Sequence, residues 1–188
     1  QLPKYIFPVG LGNNTFPQSW LTEKFGDNIS HLNPYYAEFT MFYWIWKNEL
    51  KKMSQNDFIG TCQHRLLWLN KFYEKKQKSS PSSLYAKLLN SENEIFLKND
   101  LIHLNAINFK EKNLYEDFCE VHDKEFLDQS ISLLPAEERN NFRNYLDKKT
   151  FFPMNMFITK VKYFEEYCSF IFPWLDQCFR FGKEKKLF

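Results

Sequence analysis

The densest apolar run in the chain, NPYYAEFTMFYWIWKN over residues 33–48, is interrupted by few polar positions, among them Glu38, Thr40 and Lys47. Residues three and four apart share a helix face, so this spacing predicts a buried helix. Asn33 and Pro34 supply its start, as N-cap and first helical residue, and it is expected to run to about Asn48. Glu38 would then lie among Pro34, Tyr35, Met41 and Phe42 at offsets of three and four. Thr40, Tyr43 and Lys47 form a second, polar-tipped stripe. Before the helix, residues 13–32 read as a long polar loop. Loops of that length in a domain are commonly functional or disordered.

The remaining pattern alternates between strand and helix. Residues 4–9, KYIFPV, look like a short strand end followed by a turn at GLGNN. DFIGTC, 57–62, has strand character and leads into QHRLLWLN. Residues 71–83, KFYEKKQKSSPSS, are a polar, basic linker or lid. Residues 84–90 suggest a short helix, and NEIFL and DLIHLN two short strands. Residues 113–133 read as one helix, with Leu114, Phe118, Val121, Phe126 and Leu127 on its apolar face. Pro135 opens another helix as its first residue, followed by acids suited to a helix start. FFPMNMFITK is expected to be a strand, with Asn155 inside it. A last helix over 161–180 should kink or break at Pro173. Strands and helices mixed in this order predict an α/β domain.

Composition narrows the class. With 188 residues, 44% apolar and 26% charged, the chain is globular and long enough to bury a core without disulfides or metals. It reads as a single domain over 1–188, or one domain with a small subdomain. Aromatics reach 19%, with 21 Phe, 10 Tyr and 5 Trp, more than a core of this size needs, so some are expected to line a cleft. A net charge of +2 gives no support for a nucleic-acid binder. Cys62, Cys119, Cys168 and Cys178 are scattered, with no zinc-ligand spacing, and read as free thiols of a cytoplasmic protein. Neither a signal peptide nor an apolar run of transmembrane length is present in the sequence, which begins at Gln1 rather than Met, so more chain is expected before it.

Several polar groups are placed for chemistry. A carboxyl at Glu38 within an aromatic helix is costly unless paired, and serves either as an ion-pair partner, Arg65 being the economical one, or as the floor of a cleft. Asp27, Asn28 and Ser30 in GDNIS are either turn-makers or a loop that holds a polar ligand. The helix start at Asn33 favours an anion such as a diphosphate. His64 and Arg65 follow a strand end, where α/β sheets place ligands; His64 could act as acid, base or metal ligand and Arg65 could grip a phosphate. His122 lies on a predicted helix among acids, where a surface role is the plainer alternative. Asn155, flanked by Met154 and Met156, needs partners if buried, and pins a loop or touches a ligand.

Taken in order, GDNISHLNPYYAEFTMFYWIWKN, DFIGTCQHRLLWL, YEDFCEVHD and FFPMNMFITKVKYFEEYCSFIFPWLDQC resemble a bacterial domain family of unknown function found in capsular-polysaccharide and lipopolysaccharide glycosyltransferases. The resemblance covers almost the whole chain in four blocks. Asp27, Asn28, Ser30, Asn33, Glu38, Thr40, Trp44, Lys47 and Asn48 fall on the first. His64 and Arg65 fall on the second, His122 on the third, and Asn155 and Met156 on the fourth. It implies a GT-A-like, nucleotide-diphospho-sugar transferase fold, a mixed sheet with flanking helices whose N-terminal strand is absent or partial. It further implies a nucleotide-sugar donor, UDP-linked, and a growing capsule or lipopolysaccharide glycan, free or lipid-linked, as acceptor. Where the family's second block has a tyrosine-arginine-arginine run, this chain has Arg65-Leu66-Leu67, with Gln63 before His64, so one basic residue and a ring are lost. No D-x-D motif follows a strand, which leaves the use of Mg²⁺ or Mn²⁺ open.

Within that resemblance, Glu38, His64 and His122 are the candidate catalytic groups. Asp27, Asn28, Ser30, Asn33, Lys47, Arg65 and Asn155 are the candidate donor-binding groups. A transferase must neutralise a leaving diphosphate and deprotonate an acceptor hydroxyl, and these residue types do both. The C-terminal FRFGKEKKLF would touch an anionic membrane peripherally, or be a frayed polar tail. Two other readings stand beside the enzyme: an inactive transferase-like domain that binds glycan or docks a partner, and an unrelated hydrolase built on Glu38 and His64.

Overall fold

The helix expected over 33–48 forms, but in pieces. In the computed structural model, which describes residues 2–63, 66–70 and 88–186, α1 is the single turn Asn33–Tyr36 and α2 runs Phe39–Trp44. Between them Ala37 takes φ 46° and ψ −129°, which no helix accommodates. Glu38 is therefore not in mid-helix: it is the residue at which α2 begins, and it is half-buried. Leu32, not Asn33, occupies the cap position of α1. Past Trp44 the chain widens into a π-helical stretch, Ile45–Glu49, and tightens into a 3₁₀ turn at Leu50–Lys52. Periodicity predicted the helical residues but could not show where the ladder of hydrogen bonds is interrupted.

Two compact units are formed, residues 1–102 with 156–165 and residues 103–155 with 166–188. The first holds a three-stranded sheet in the order β3 (Phe58–Gly60), β7 (Phe157–Lys160), β4 (Leu101–His103). β3 and β7 are antiparallel, with Ile59 opposite Thr159. A short parallel pair, β1 (Val9–Gly10) and β2 (Leu21–Thr22), lies within the first 22 residues. The core of this unit is aromatic. Phe42 and Phe164 are fully buried, and Phe42, Phe157 and Phe164 meet pairwise with ring centroids 5.6–5.9 Å apart. Each such ring contributes about 1.5–3 kcal/mol through burial, and the tilted and edge-on geometries add to it. Phe42 anchors α2 in this cluster, so the polar side of the same helix is set in place by it.

NEIFL is not a strand. Asn93 accepts the Ile95 N–H through its side chain, a local bond that competes with pairing, and α3 (Ile95–Lys98) follows. Phe96 packs on Phe58 at 4.8 Å. DLIHLN does supply β4. The linker over 71–83 lies outside the described residues, as do His64 and Arg65. So does the expected helix over 84–90 as far as residue 87; its Leu88 forms an antiparallel bridge with Leu69.

The second unit is mainly helical. The helix expected over 113–133 is two: α4 (Leu114–Val121) and α5 (Lys124–Ser132). Asn113 and Glu116 close a capping box at the first. Asp123 breaks the run because its carboxylate accepts the Phe126 N–H as the N-cap of the second, a role that requires extended backbone. α6 (Ala136–Leu146) follows Pro135, which is its cap rather than its first residue. Leu127, Ile131 and Leu146 form the buried centre, with Phe118 and Phe142 against them. β5 (Ile107–Asn108) pairs antiparallel with β6 (Thr150–Phe151).

The last helix, α7 (Val161–Glu184), runs unbroken through Pro173. A proline in a helix removes one hydrogen bond. Its neighbours Ile171 and Phe172 are buried, and that burial keeps the helix continuous. No helix among the described residues is long and apolar enough to cross a membrane. The four cysteines are free thiols, and burial raises the pKa of Cys62 and Cys178 above the ordinary range.

One buried group was not anticipated. Glu23 is fully buried, with one carboxyl oxygen accepting the Gly12 N–H at 2.8 Å and the other without a hydrogen-bond partner among the described residues. Gly12 has φ +67°, and a Cβ there would come within 2.7 Å of Asn33 Oδ1. Glu23→Ala is expected to cost about 1–3 kcal/mol, because the Gly12 N–H loses its acceptor. Glu23→Gln keeps that acceptor and should be milder by about 1 kcal/mol. Urea unfolding of both variants checks the order, and a Gln variant as unstable as the Ala variant contradicts it.

Candidate functional site

The expected ligand-holding loop and the π-helical stretch are joined by one side chain. Asn48 Oδ1 accepts the Asp27 N–H at 3.1 Å, and Asn48 Nδ2 donates to the Asp27 carbonyl at 2.7 Å and the Trp44 carbonyl at 2.9 Å. Trp44 Nε1 donates to the Phe25 carbonyl at 2.8 Å. The loop is thus tied to the helix at Phe25 and at both sides of Asp27. Gly26, between them, has φ +73° and lies so close to Asn48 that a Cβ would be 2.1 Å from its oxygen. Within the loop, Asn28 Oδ1 accepts from the Ser30 N–H and hydroxyl at 3.2 and 2.8 Å. Asn28 Nδ2 donates to the Lys24 and Gly26 carbonyls. The side chains of Asn28 and Ser30 therefore build the loop.

Asp27 is the group this scaffold exposes. The Tyr43 hydroxyl donates to its Oδ1 at 3.3 Å. Burial first, and then the Asp27 charge and hydrogen bond, raise the pKa of the Tyr43 phenol above its ordinary value. Lys47 Nζ lies 3.3 Å from the centroid of the Trp46 ring and 5.6 Å from that of Tyr43. Cation–π attraction holds an ammonium over such faces. The Tyr43 and Trp46 rings meet edge-on at 5.9 Å. A phenol, an indole and an ammonium on successive helical turns are thereby gathered beside the loop carboxylate of Asp27. π-Helical stretches recur at functional sites, where they shift side chains off the regular face.

The other sequence candidates are distributed as follows. Asn33 is bonded locally: its Nδ2 donates to the Ala37 carbonyl and the Thr40 hydroxyl, each at 3.0 Å. The helix it starts is a four-residue turn, too short for the aligned dipole that would attract a diphosphate. His122 lies in the second unit, exposed at the end of α4, its ring tilted against that of Phe118 with centroids 4.5 Å apart. Asn155 is half-buried in the bend before β7 and not inside the strand. Met154 beside it has φ +66°, which extended pairing does not permit, while Met156 is buried. Sequence reasoning missed the linking role of Asn48 and the burial of Glu23. Asn48 lay within a recognised block, but nothing in its spacing from Asp27 announced the bond.

Among the described residues no group of three His, Cys, Asp or Glu side chains is arranged to hold a metal ion. Mg²⁺ is commonly held by one or two carboxylates together with the substrate's phosphates, and the chemistry proposed for this chain is written without a metal.

A solved structure titled as that of the apo WbbM bifunctional glycosyltransferase is similar in fold, with a TM-score of 0.67 at 21% identity. The similarity covers 85% of this chain and 31% of that one, so the chain spans about a third of that protein's length. The fold is thus a mixed α/β arrangement similar to that of part of this solved structure. No curated protein matches the chain. The family model described as "Domain of unknown function (DUF4422)" matches residues 2–183, and the chain belongs to that family.

Proposed function

We propose that the chain is a glycosyltransferase domain that moves a sugar from a nucleotide-sugar donor, UDP-linked, to a growing surface glycan of capsule or lipopolysaccharide type. The observation that carries this reading is the loop of Asp27, Asn28 and Ser30, pinned by Asn48 beside the Tyr43, Trp46 and Lys47 side chains, in a fold similar to that of a glycosyltransferase. The aromatic faces suit stacking on a base or a sugar ring. Asp27 would accept hydrogen bonds from hydroxyl groups of the donor. Lys47 and Arg65 would bear the negative charge of the departing diphosphate.

In the chemical step the acceptor oxygen forms a bond to the anomeric carbon, and the bond from that carbon to the diphosphate oxygen breaks. The electron pair leaves on the diphosphate. A base takes the acceptor proton, and Glu38 is the first choice, with His64 and His122 as alternatives. The reaction would take place on the cytoplasmic side of the membrane, where nucleotide sugars and lipid-linked acceptors meet.

A thermal-shift screen against UDP, GDP, CMP and dTDP, with and without Mn²⁺, tests the reading. UDP at about a hundred times its Kd adds about 2.7 kcal/mol, a rise of roughly 5–10 °C for a chain of this size. Arg65→Ala is expected to abolish it. No shift with any nucleotide, together with binding of a glycan, would replace the enzyme by a docking module.

A further inference from the structure

We infer that Asn33 and Thr40 are positioning residues, which clamp a strained peptide at Ala37 and so fix the backbone from which Glu38 projects. The inference rests on the reading of Glu38 as the acid–base group. Ala37 has φ 46° and ψ −129°, a region that side-chain-bearing residues avoid and glycine occupies freely. Three donors converge on its carbonyl: Asn33 Nδ2 at 3.0 Å, the Thr40 hydroxyl at 2.9 Å and the Thr40 N–H at 3.3 Å. The Ala37 N–H donates in turn to the Asn33 carbonyl at 2.9 Å. Thr40 is fully buried, and its hydroxyl accepts from Asn33 as it donates to Ala37, so the clamp is closed. On the other side of Glu38, its own carbonyl accepts the Met41 and Phe42 N–H groups. Phe42 is locked in the aromatic core. The Glu38 backbone is thus held from both directions.

Strain of this kind persists only where the surroundings over-determine it, and it clusters at functional sites. Ala37 is exposed, so space does not forbid a relaxed turn. What forbids it is the clamp. A glycine at 37 would relieve the strain and loosen the direction of Glu38 at once. Stability and activity should therefore move in opposite directions, which a purely structural role for the turn does not predict.

Three variants test this with melting temperature and steady-state transfer from a UDP-sugar. Ala37→Gly is expected to raise the melting temperature by about 2–4 °C and to lower kcat about tenfold, with KM within about twofold. Thr40→Val removes the hydroxyl and should lower both stability and kcat, whereas Thr40→Ser restores both. Ala37→Gly with raised stability and unchanged kcat overturns the inference alone, and so does a Thr40→Ser no better than Thr40→Val. Ala37→Gly with lowered stability also overturns it, since the turn would then carry no strain. A wild-type chain with no turnover on any nucleotide sugar overturns the reading of Glu38 and this inference with it.

Discussion

Gly26→Ala is expected to destabilise the protein by roughly 2–4 kcal/mol, made up of the left-handed backbone that alanine resists and the Asn48 bonds that the new methyl displaces. The backbone at Gly26 has φ +73°, and the added carbon would sit 2.1 Å from Asn48 Oδ1, inside van der Waals contact. To admit it, Asn48 must swing away, and both of its bonds to Asp27 are lost. The loop then detaches from the π-helical stretch, and Asp27 is no longer held at Tyr43. For a chain of this length the melting temperature should fall by about 5–15 °C. Asn48→Leu should reproduce much of the loss. Differential scanning calorimetry on both variants is decisive, and a loss below about 1 kcal/mol for Gly26→Ala would mean that the loop is not fixed in this way.

Glu38→Gln should separate chemistry from binding. Removing a general base lowers kcat by about 10²–10⁴, and the amide keeps the shape and most of the packing of the acid. The melting temperature should fall by no more than about 2–4 °C, because the amide still hydrogen-bonds and Glu38 is half-buried at a helix start rather than enclosed in the core. The UDP-induced thermal shift should persist. Steady-state transfer measured beside the thermal shift gives the answer. Unchanged kcat would move the base to His64 or His122, and the same assay on His64→Ala and His122→Ala would decide between them. A lost UDP shift would instead make Glu38 part of the donor site.

The two effects have different origins. Gly26 and Asn48 act on the shape of the site, so they are read in stability. Glu38 acts on a proton, so it is read in turnover. The tyrosine beside Asp27 connects the two: a phenol whose pKa is raised stays protonated at neutral pH and can keep donating to Asp27.

Much of the local structure was legible in the order of residues alone. Runs of apolar side chains placed α2, β3, β7 and α7, because burial imposes a 3.6-residue or 2-residue period on the sequence, and Pro135 with the acids after it placed α6. Four sequence blocks, in order, pointed to a domain family of unknown function found in glycosyltransferases; the chain belongs to a family described as of unknown function over residues 2–183, and its fold is similar to that of a solved glycosyltransferase. Asp27, Asn28 and Ser30 were recognisable as one loop. What only the tertiary structure decided depends on groups far apart in the chain or on single dihedral angles. Asn48 reaches back 21 residues to hold Asp27, and no period encodes that. Ala37 breaks the long helix through a backbone angle its side chain does not announce, because the donors of Asn33 and Thr40 outweigh alanine's preference for the helix. Asp123 splits another because a cap bond at Phe126 outweighs helical continuity, and Asn93 turns a strand-like sequence into a helix start by the same kind of local bond. Hydrophobic pattern states which residues are buried; hydrogen bonds between particular partners state where the chain turns, and those partners meet only when the chain is folded.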